Sequence, residues 1–587
     1  MKTNRKPGPQ LMIDDAGQVI TDDNQIANLF NKYFSANYSV EEEPIPHPTE
    51  MTTFTFNEIC FSEETVKKAI RQLSNSTSYG TDKIPPCILK HMIYAPILLS
   101  SLFSLLQSNS MYPEIWKYSS ITPIFKNGNR SDTQSYRGVH RTAVIAKILE
   151  KIISKQMLNY LTNANLIPSS QHAFLPKKSC QSCHLTFLEF VSSNRDDGNT
   201  VATIYFDLKK AFDKVPHQRL LVKLKSHGIG SPLLDFLKSY LQNRYQVVQI
   251  RNVVSEPSHI SSGVLQGTIL GPLLFLIYIH DLSSISTSAK TFLYADDLKL
   301  AYAYNQHTVA SMHRTIENDL KKLSEWSTLW QMPFSPSKCH LLIFGSQKLP
   351  PIFFNNQEIT ETTSIKDLGL SYTNTLDLSP HVKQISPKAT RLCGFICKNF
   401  SSPALKTRLY KMYVLPLLDY CSIFFGIMPS DGRKKLEAIQ RCFTRSLSKC
   451  DAFQGSYMEL YDRYGLQPVW IRRLKNGLTF LFKITHDQDI LRMNLLTNQN
   501  GPRDTRNSEN IIKIPKFKKA QRSNFYSIRY ATIWNALPNS IRNSRTIREF
   551  KIKIKQYMLN NSTHLFLNKI GHFSTQFFNI EFGPKGL

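Results

Sequence analysis

The sequence predicts an α+β fold in which helices lie on a mostly antiparallel sheet, and the hydrophobic pattern of its middle third carries that reading. Between 201 and 345, short strand-like runs alternate with helical ones. The stretch from 62 to 200 is patterned as helix with loops, and the stretch after 346 is chiefly helical up to about 490. With 587 residues, 41% of them apolar, the chain is too long for one core and calls for three or four subdomains.

Taken in order, residues 1–55 combine a short helical pattern, "DDNQIANLFNKYF", with the acidic and Pro-rich "VEEEPIPHPTEM", which reads as a linker. "SEETVKKAIRQL" opens a helix on Ser62 as N-cap, with Glu63 and Glu64 suiting its first turn and Thr65 denying it a full capping box. "KYSSITPIFK" alternates like a strand, ends on Lys126 and is followed by the turn "NGNRSD", which predicts a basic hairpin. Strands follow at "VATIYFDL" and "YQVVQIRNVV", helices at "SPLLDFLKSYLQ" and "GPLLFLIYIHDL", and a long amphipathic helix at "TVASMHRTIENDLKKLSEWSTLW". "KDLGLSY" is a short strand entry, and no repeat of fixed period appears.

Lys and Arg outnumber Asp and Glu by 72 to 44, and the net charge of +28 favours a polyanionic partner, nucleic acid first. The longest apolar run, "LLFLIYI", is far shorter than the ~20 residues of a membrane span. The opening "MKTNRKPGPQLMIDD" lacks the apolar core of a secretory signal, so the expected setting is the cytoplasm or nucleus, with the ten cysteines as free thiols. Cys180 and Cys183, followed by His184, form the one CxxC, which reads as a chance pairing, and zinc is set aside. Residues 501–560 hold 14 Lys or Arg against 3 Asp or Glu, a polyanion-binding tail or a solvated face.

In "TFLYADDLKL" the adjacent Asp296 and Asp297 interrupt a run that otherwise reads as buried strand. Two like charges resist burial unless a cation neutralises them, although a two-residue hairpin turn would leave both in solvent. A third acid, Asp207, stands at the end of "VATIYFDL". Three such carboxylates suit two Mg²⁺ ions about 4 Å apart, one activating a primer 3′-hydroxyl and the other holding triphosphate oxygens. The separation of 89 positions from Asp207 to Asp296 carries no weight by itself.

The order of the motifs carries more. "FDLKKAFD" resembles motif A and "YADD" motif C of the reverse transcriptases, while "SSGVLQGTILGPLLFLIYIHDL" and "WSTLWQMPFSPSKCHLLIF" resemble motifs B and D of the non-LTR, LINE-type retrotransposon enzymes. "KDLGL" resembles the primer-grip segment, with Leu368 and Gly369 at its centre. Upstream, "TSYGTDKIPPCIL", "WKYSSITPIFKNGNRSDTQSYRGV" and "LIPSSQHAFLPKKSC" are similar to the finger motifs. Downstream, "YVLPLLDY", "LEAIQRCFTR", "GLQPVWIRRL" and "IWNALPNSIR" are similar to the carboxy-terminal half of Jockey-like elements, so nearly the whole chain is covered.

This resemblance implies a right-hand polymerase: an extension over 1–55, fingers over 56–200, palm over 201–345 with an antiparallel sheet, thumb over 346–450 and a helical basic domain over 451–587. It implies RNA-templated DNA synthesis from an RNA template, a DNA primer or target and dNTPs, with two Mg²⁺ ions, Mn²⁺ as a substitute, and no membrane. Asp207 and Asp296 would be the principal metal ligands and Asp297 the supporting one. Phe212 matches the aromatic gate against a 2′-hydroxyl, and Gln266 with Gly267 matches the loop against the nascent base pair. Lys126 and Arg137 match the cations that clamp the triphosphate, and Lys338 matches a lysine placed to protonate pyrophosphate, or else a structural salt bridge. Trp326 and Trp330, at helical spacing, read as core.

The chain departs from the family in "YRGVHRT", which puts His140 and Arg141 where apolar or small residues are usual and predicts disturbed finger packing. Leu265 replaces the customary Pro before Gln266. The chain also opens about fifty residues before the finger region, so the endonuclease that usually precedes this enzyme is expected to lie in a longer frame or to have been lost. Two alternatives stay open: a degenerate or domesticated RNA-binding copy, and an intron-encoded maturase, against which "WNALP" argues.

Overall fold

The computed structural model describes residues 9–14, 16–47, 52–451, 457–486 and 510–560. In chain order the strands that frame the site are β1 (Tyr118–Phe125), β2 (Tyr136–Arg141), β3 (Thr200–Asp207), β4 (Arg244–Ile250), β5 (Lys290–Tyr294), β6 (Asp297–Tyr304), β7 (His340–Phe344), β8 (Thr360–Thr362), β9 (Ser364–Asp367) and β10 (Leu370–Thr373). The helices that matter most are α1 (Asp23–Ser35), α2 (Cys180–Asp196), α3 (Gly271–Tyr278) and α4 (Val309–Leu329). Together they make a mixed α and β molecule with two five-stranded sheets.

In the larger sheet the order is β8-β7-β3-β6-β5, antiparallel except for the β7–β8 pair. β3 is central and buried on both faces, which explains why its sequence is an almost unbroken apolar run. Its period of two still shows: Val201 and Tyr205 join one core with Phe187 and Leu188 of α2, while Ala202, Ile204 and Phe206 join another with Phe275 of α3 and Leu320 of α4.

The second sheet holds the expected hairpin, β1 paired antiparallel with β2. "YQVVQIRNVV" does form a strand, β4, but β4 lies parallel to β1 and does not join β3. Its Val248 and Ile250 close a third core with Ile121, Tyr136 and the apolar face of α1, Phe30 and Phe34 included. Alternation predicts a strand without naming its neighbour, and here the cover supplied by α1 decides it.

Ser62 caps its helix as expected, accepting from the Thr65 N–H at 3.3 Å. The acidic stretch read as a linker is docked instead. Glu41 accepts the N–H groups of Gln218 and Arg219 at 3.0 and 2.8 Å, capping the helix His217–Ser226. The buried Arg219 guanidinium donates in turn to the Glu42 carbonyl at 2.9 Å. After β10 the described residues are helical, including Ser379–Asn399, Ser430–Asp451, Val469–His486, Tyr526–Asn535 and Ile547–Asn560. Parts of the basic end, 501–509 and 561–587, lie outside the described residues. Among the described residues no helix is long and apolar enough to cross a membrane.

Candidate functional site

Strand register brings the acids together. Asp297 opens β6 directly opposite Asp207 at the end of β3, and it also pairs with Tyr294 of β5. Ala295 and Asp296 are therefore the two-residue turn, one residue earlier than the Asp296–Asp297 turn of the hairpin reading, with Ala295 at a left-handed φ of 54° and both acids half-buried instead of in solvent. Burial pushes the Asp297 carboxyl up to about 7, helped by the charges of Asp296, Asp367 and Asp207. Burial also raises Asp296, with Asp207 adding to the shift and Arg137 and Lys126 opposing it.

Lys338, in the short turn Pro336–Lys338, places its ammonium 3.0 Å from an Asp207 oxygen. Both readings of Lys338 thus start from one contact, an ion pair to the acid it sits beside. Hard oxygen donors whose charges repel one another fit a divalent cation. Among the described residues, however, no group of three or more His, Cys, Asp or Glu side chains is closed into a ligand set. The acids form a shared edge and not a preformed cage.

Cations face that edge. Lys126 follows β1, its backbone N–H held by the Ser135 carbonyl at 2.8 Å, and Arg137 lies on the paired β2. Burial lowers the Lys126 pKa, and Arg137, Lys338 and Lys210 push the same way while Asp207 opposes them. Lys210 was not among the sequence candidates. It takes φ 52° and donates to the Tyr33 hydroxyl of α1 at 2.6 Å; its only sequence signal is its place in "FDLKKAFD".

The loop carrying Gln266 and Gly267 is stapled to β2. The His140 N–H donates to the Gln266 carbonyl at 2.7 Å, and a Cβ on Gly267 (φ 110°) would fall 2.6 Å from the His140 oxygen. Only glycine allows that approach. The Gln266 side chain donates to Asp213 at 3.1 Å, which ties the loop to the segment holding Phe212. Phe212 stacks on Phe275 at 4.5 Å and 17°, and it meets Phe174 edge-on at 6.1 Å.

The predicted disturbance at His140 and Arg141 does not arise. His140 is buried beside the Ser119 hydroxyl at 2.9 Å, and burial brings its pKa down to about 3, so it packs as a neutral ring. Arg141 donates to the Gln249 side chain.

Leu368 and Gly369 form the turn between β9 and β10, with φ 42° and 85°. The Tyr420 hydroxyl donates to the Leu368 carbonyl. This turn is tied to the acidic hairpin by a buried ion pair: Lys299, two residues past Asp297 on β6, binds Asp367 of β9. Burial alone would raise Asp367, but Lys299 and His184 hold it below the usual carboxylate range. Trp326 and Trp330 are core residues as expected, Trp326 bonding Asp281 at 3.0 Å and Trp330 lying under the Lys223 ammonium. Cys180 opens α2, and Cys183 is fully buried.

Residues 124–372, which hold all of these groups from Lys126 to Gly369, match the family described as reverse transcriptase (RNA-dependent DNA polymerase). The chain is 26% identical over 405 residues to a probable RNA-directed DNA polymerase from transposon X-element of Drosophila melanogaster, covering 66% of this chain and 44% of that protein. It is 24% identical over 443 residues to the RNA-directed DNA polymerase from mobile element jockey of the same species, covering 72% and 48%. A Pol polyprotein from the type-1 retrotransposable element R2 of Popillia japonica matches at 24% over 39% of this chain and 40% of its own length. The chain thus spans less than half the length of these relatives. The acid-bearing strands β3, β5 and β6 fall within the region that matches the reverse transcriptase family, and the chain is similar to the RNA-directed DNA polymerases of LINE-type, non-LTR retrotransposons.

Proposed function

We propose that this chain is an RNA-directed DNA polymerase that extends a primer 3′-hydroxyl along an RNA template. The observation that carries the reading is the register of β3 and β6, which sets Asp207 opposite Asp297 with Asp296 in the adjoining turn, facing Lys126 and Arg137. Asp207 and Asp296 would be the main ligands of two Mg²⁺ ions, or of Mn²⁺ in their place, and Asp297 the support. When bound, these ions lower the pKa of the attacking hydroxyl and offset charge on the leaving pyrophosphate.

The chain's own groups do the rest. Lys126 and Arg137 hold the triphosphate oxygens while the hydroxyl oxygen bonds to the α-phosphorus and the bond to pyrophosphate breaks. Lys338, held beside Asp207 by its ion pair, would give a proton to the departing pyrophosphate. Phe212, braced by Phe275, sits where a 2′-hydroxyl would clash. Gln266 and Gly267 lie against the new base pair, and the turn Leu368–Gly369 steadies the primer.

In this reading residues 56–200 act as fingers, 201–345 as palm, 346–450 as thumb and 451–587 as a basic domain that tracks phosphates, with residues 1–55 as an extension whose helix α1 covers the finger sheet. Nuclear and cytoplasmic residence follows from an RNA template and a DNA target. The test is primer extension by the purified chain on poly(rA)/oligo(dT) with Mg²⁺. Incorporation that vanishes in Asp207→Asn is expected. Normal duplex binding without incorporation would instead favour an RNA-binding relative that has lost catalysis.

A further inference from the structure

We propose that Gln171 is a positioning residue for the acidic turn, holding Asp296 in its place through the backbone of Ala295; the inference rests on the polymerase reading above. Gln171 is buried, and its side-chain oxygen accepts three backbone N–H groups: His172 at 3.0 Å, Ala173 at 2.9 Å and Ala295 at 3.0 Å. The segment around it is pinned to the outer edge of β5, His172 donating to Leu293 at 2.9 Å and Leu293 to Ser170 at 3.0 Å. Lys178 bonds the carbonyls of Ser169 and Gln171 at 2.9 and 2.7 Å, closing the loop from its other side. The side chain therefore reaches the turn from a fixed base.

What it holds is strained. Ala295 occupies the left-handed region, which is unfavourable for a residue other than glycine and persists only where the surroundings impose it. Its N–H is the group that Gln171 satisfies, and the next residue is Asp296. Without that acceptor the turn has a buried, unpaired donor and a backbone free to relax, which would swing Asp296 away from Asp207. An amide suits the task because it accepts without charge, whereas a carboxylate there would add a fourth negative group beside Asp207, Asp296 and Asp297.

The test uses the purified full chain without nucleic acid, titrated with Mn²⁺ by electron paramagnetic resonance, together with its thermal midpoint and its primer-extension kinetics. Gln171→Met, which keeps length but removes the acceptor, is expected to weaken Mn²⁺ binding about tenfold or more, in the range typical of groups that orient metal ligands. It should lower kcat while the KM for dNTP stays within about twofold. Adding Ala295→Gly, which accepts φ 54° without strain, should restore much of the Mn²⁺ affinity.

A Gln171→Met chain with a lower thermal midpoint but wild-type Mn²⁺ binding would overturn the proposal, as would a double variant that regains nothing. If Gln171→Met does not fold, Gln171→Asn decides, since it keeps an uncharged amide too short to reach Ala295: retained folding with weakened Mn²⁺ binding supports the role, and unaltered binding overturns it. A wild-type chain that binds Mn²⁺ at the acids yet never extends a primer would sink the polymerase reading while leaving the Gln171 contact testable.

Discussion

Phe212 is fixed on two sides, its face on Phe275 and its edge on Phe174, so its ring has one defined place, which the proposed function makes the gate against a 2′-hydroxyl. Phe212→Val should raise ribonucleotide over deoxynucleotide incorporation by about tenfold, at a stability cost of roughly 0.5–1.5 kcal/mol for the lost stack. An unchanged incorporation ratio would remove it from the gate. His140 allows a cleaner thermodynamic check. Its native pKa of about 3 lies below the 6.5 of an unburied ring, so acidification below 6.5 protonates only the unfolded chain. Stability contributed through this site is full above pH 6.5 and falls by about 1.4 kcal/mol per pH unit as pH drops towards 3. His140→Gln cannot take up that proton, and the difference in unfolding free energy between wild type and variant should follow that slope between pH 6.5 and 4. A flat difference would mean the ring is not held neutral. The sequence marked His140 as foreign to its motif but could not show that Ser119 and a dry pocket would accommodate it.

At the level of elements, the ion pair between Lys299 and Asp367 joins the acidic hairpin β5–β6 to the hairpin β9–β10. Both side chains are almost wholly buried, and the Tyr372 hydroxyl also donates to Asp367 at 2.7 Å. Lys299→Met should therefore cost about 3–5 kcal/mol, because it strands a charge, while Lys299→Met with Asp367→Leu should recover most of that loss. Urea unfolding of the three proteins measures it, and equal costs for the single and double variants would show that the pair is not coupled. The hairpin at "TFLYADDLKL" was legible because two charges interrupt a run that otherwise reads as buried strand, and the basic hairpin at Lys126 because an alternating strand runs into the turn signal "NGNRSD". The place of β4 was not, since its partner β1 lies more than a hundred residues earlier and its cover α1 earlier still. Arg219 converts an acidic stretch into a docked strap for a similar reason: "VEEEP" looks like solvent-exposed chain until a buried guanidinium is found to hold it.

For the molecule as a whole, the two main cores meet across the central sheet. Helices after β10 share a core with one face of β3, so Trp470 and Trp534 belong to the same cluster as Val201 and Tyr205. The net charge of +28 is then carried on a framework in which the polymerase-like region and the helical end are packed together. Binding to a template–primer duplex should weaken by about a thousandfold between 50 and 200 mM salt if some six phosphates are neutralised. A filter-binding series across that range measures the slope, and affinity independent of salt would exclude phosphate tracking as the main source of binding.

The sequence by itself determined the local elements and the chemical types: the strands and the hairpin turn, the N-cap at Ser62, the basic surplus, and the presence of Asp207 and the Asp296–Asp297 pair in an order that resembles the reverse transcriptases. Those follow from periodicity and turn chemistry, which act over a few residues. Only the tertiary structure decided which groups meet. The register that opposes Asp297 to Asp207, the buried contact of Lys299 with Asp367, and the reach of Gln171 across 124 residues to Ala295 are products of strand pairing and desolvation between distant segments. "YADD" had announced a turn with two charges, but the strain of Ala295 and the amide that holds it became visible only once the chain had folded around them.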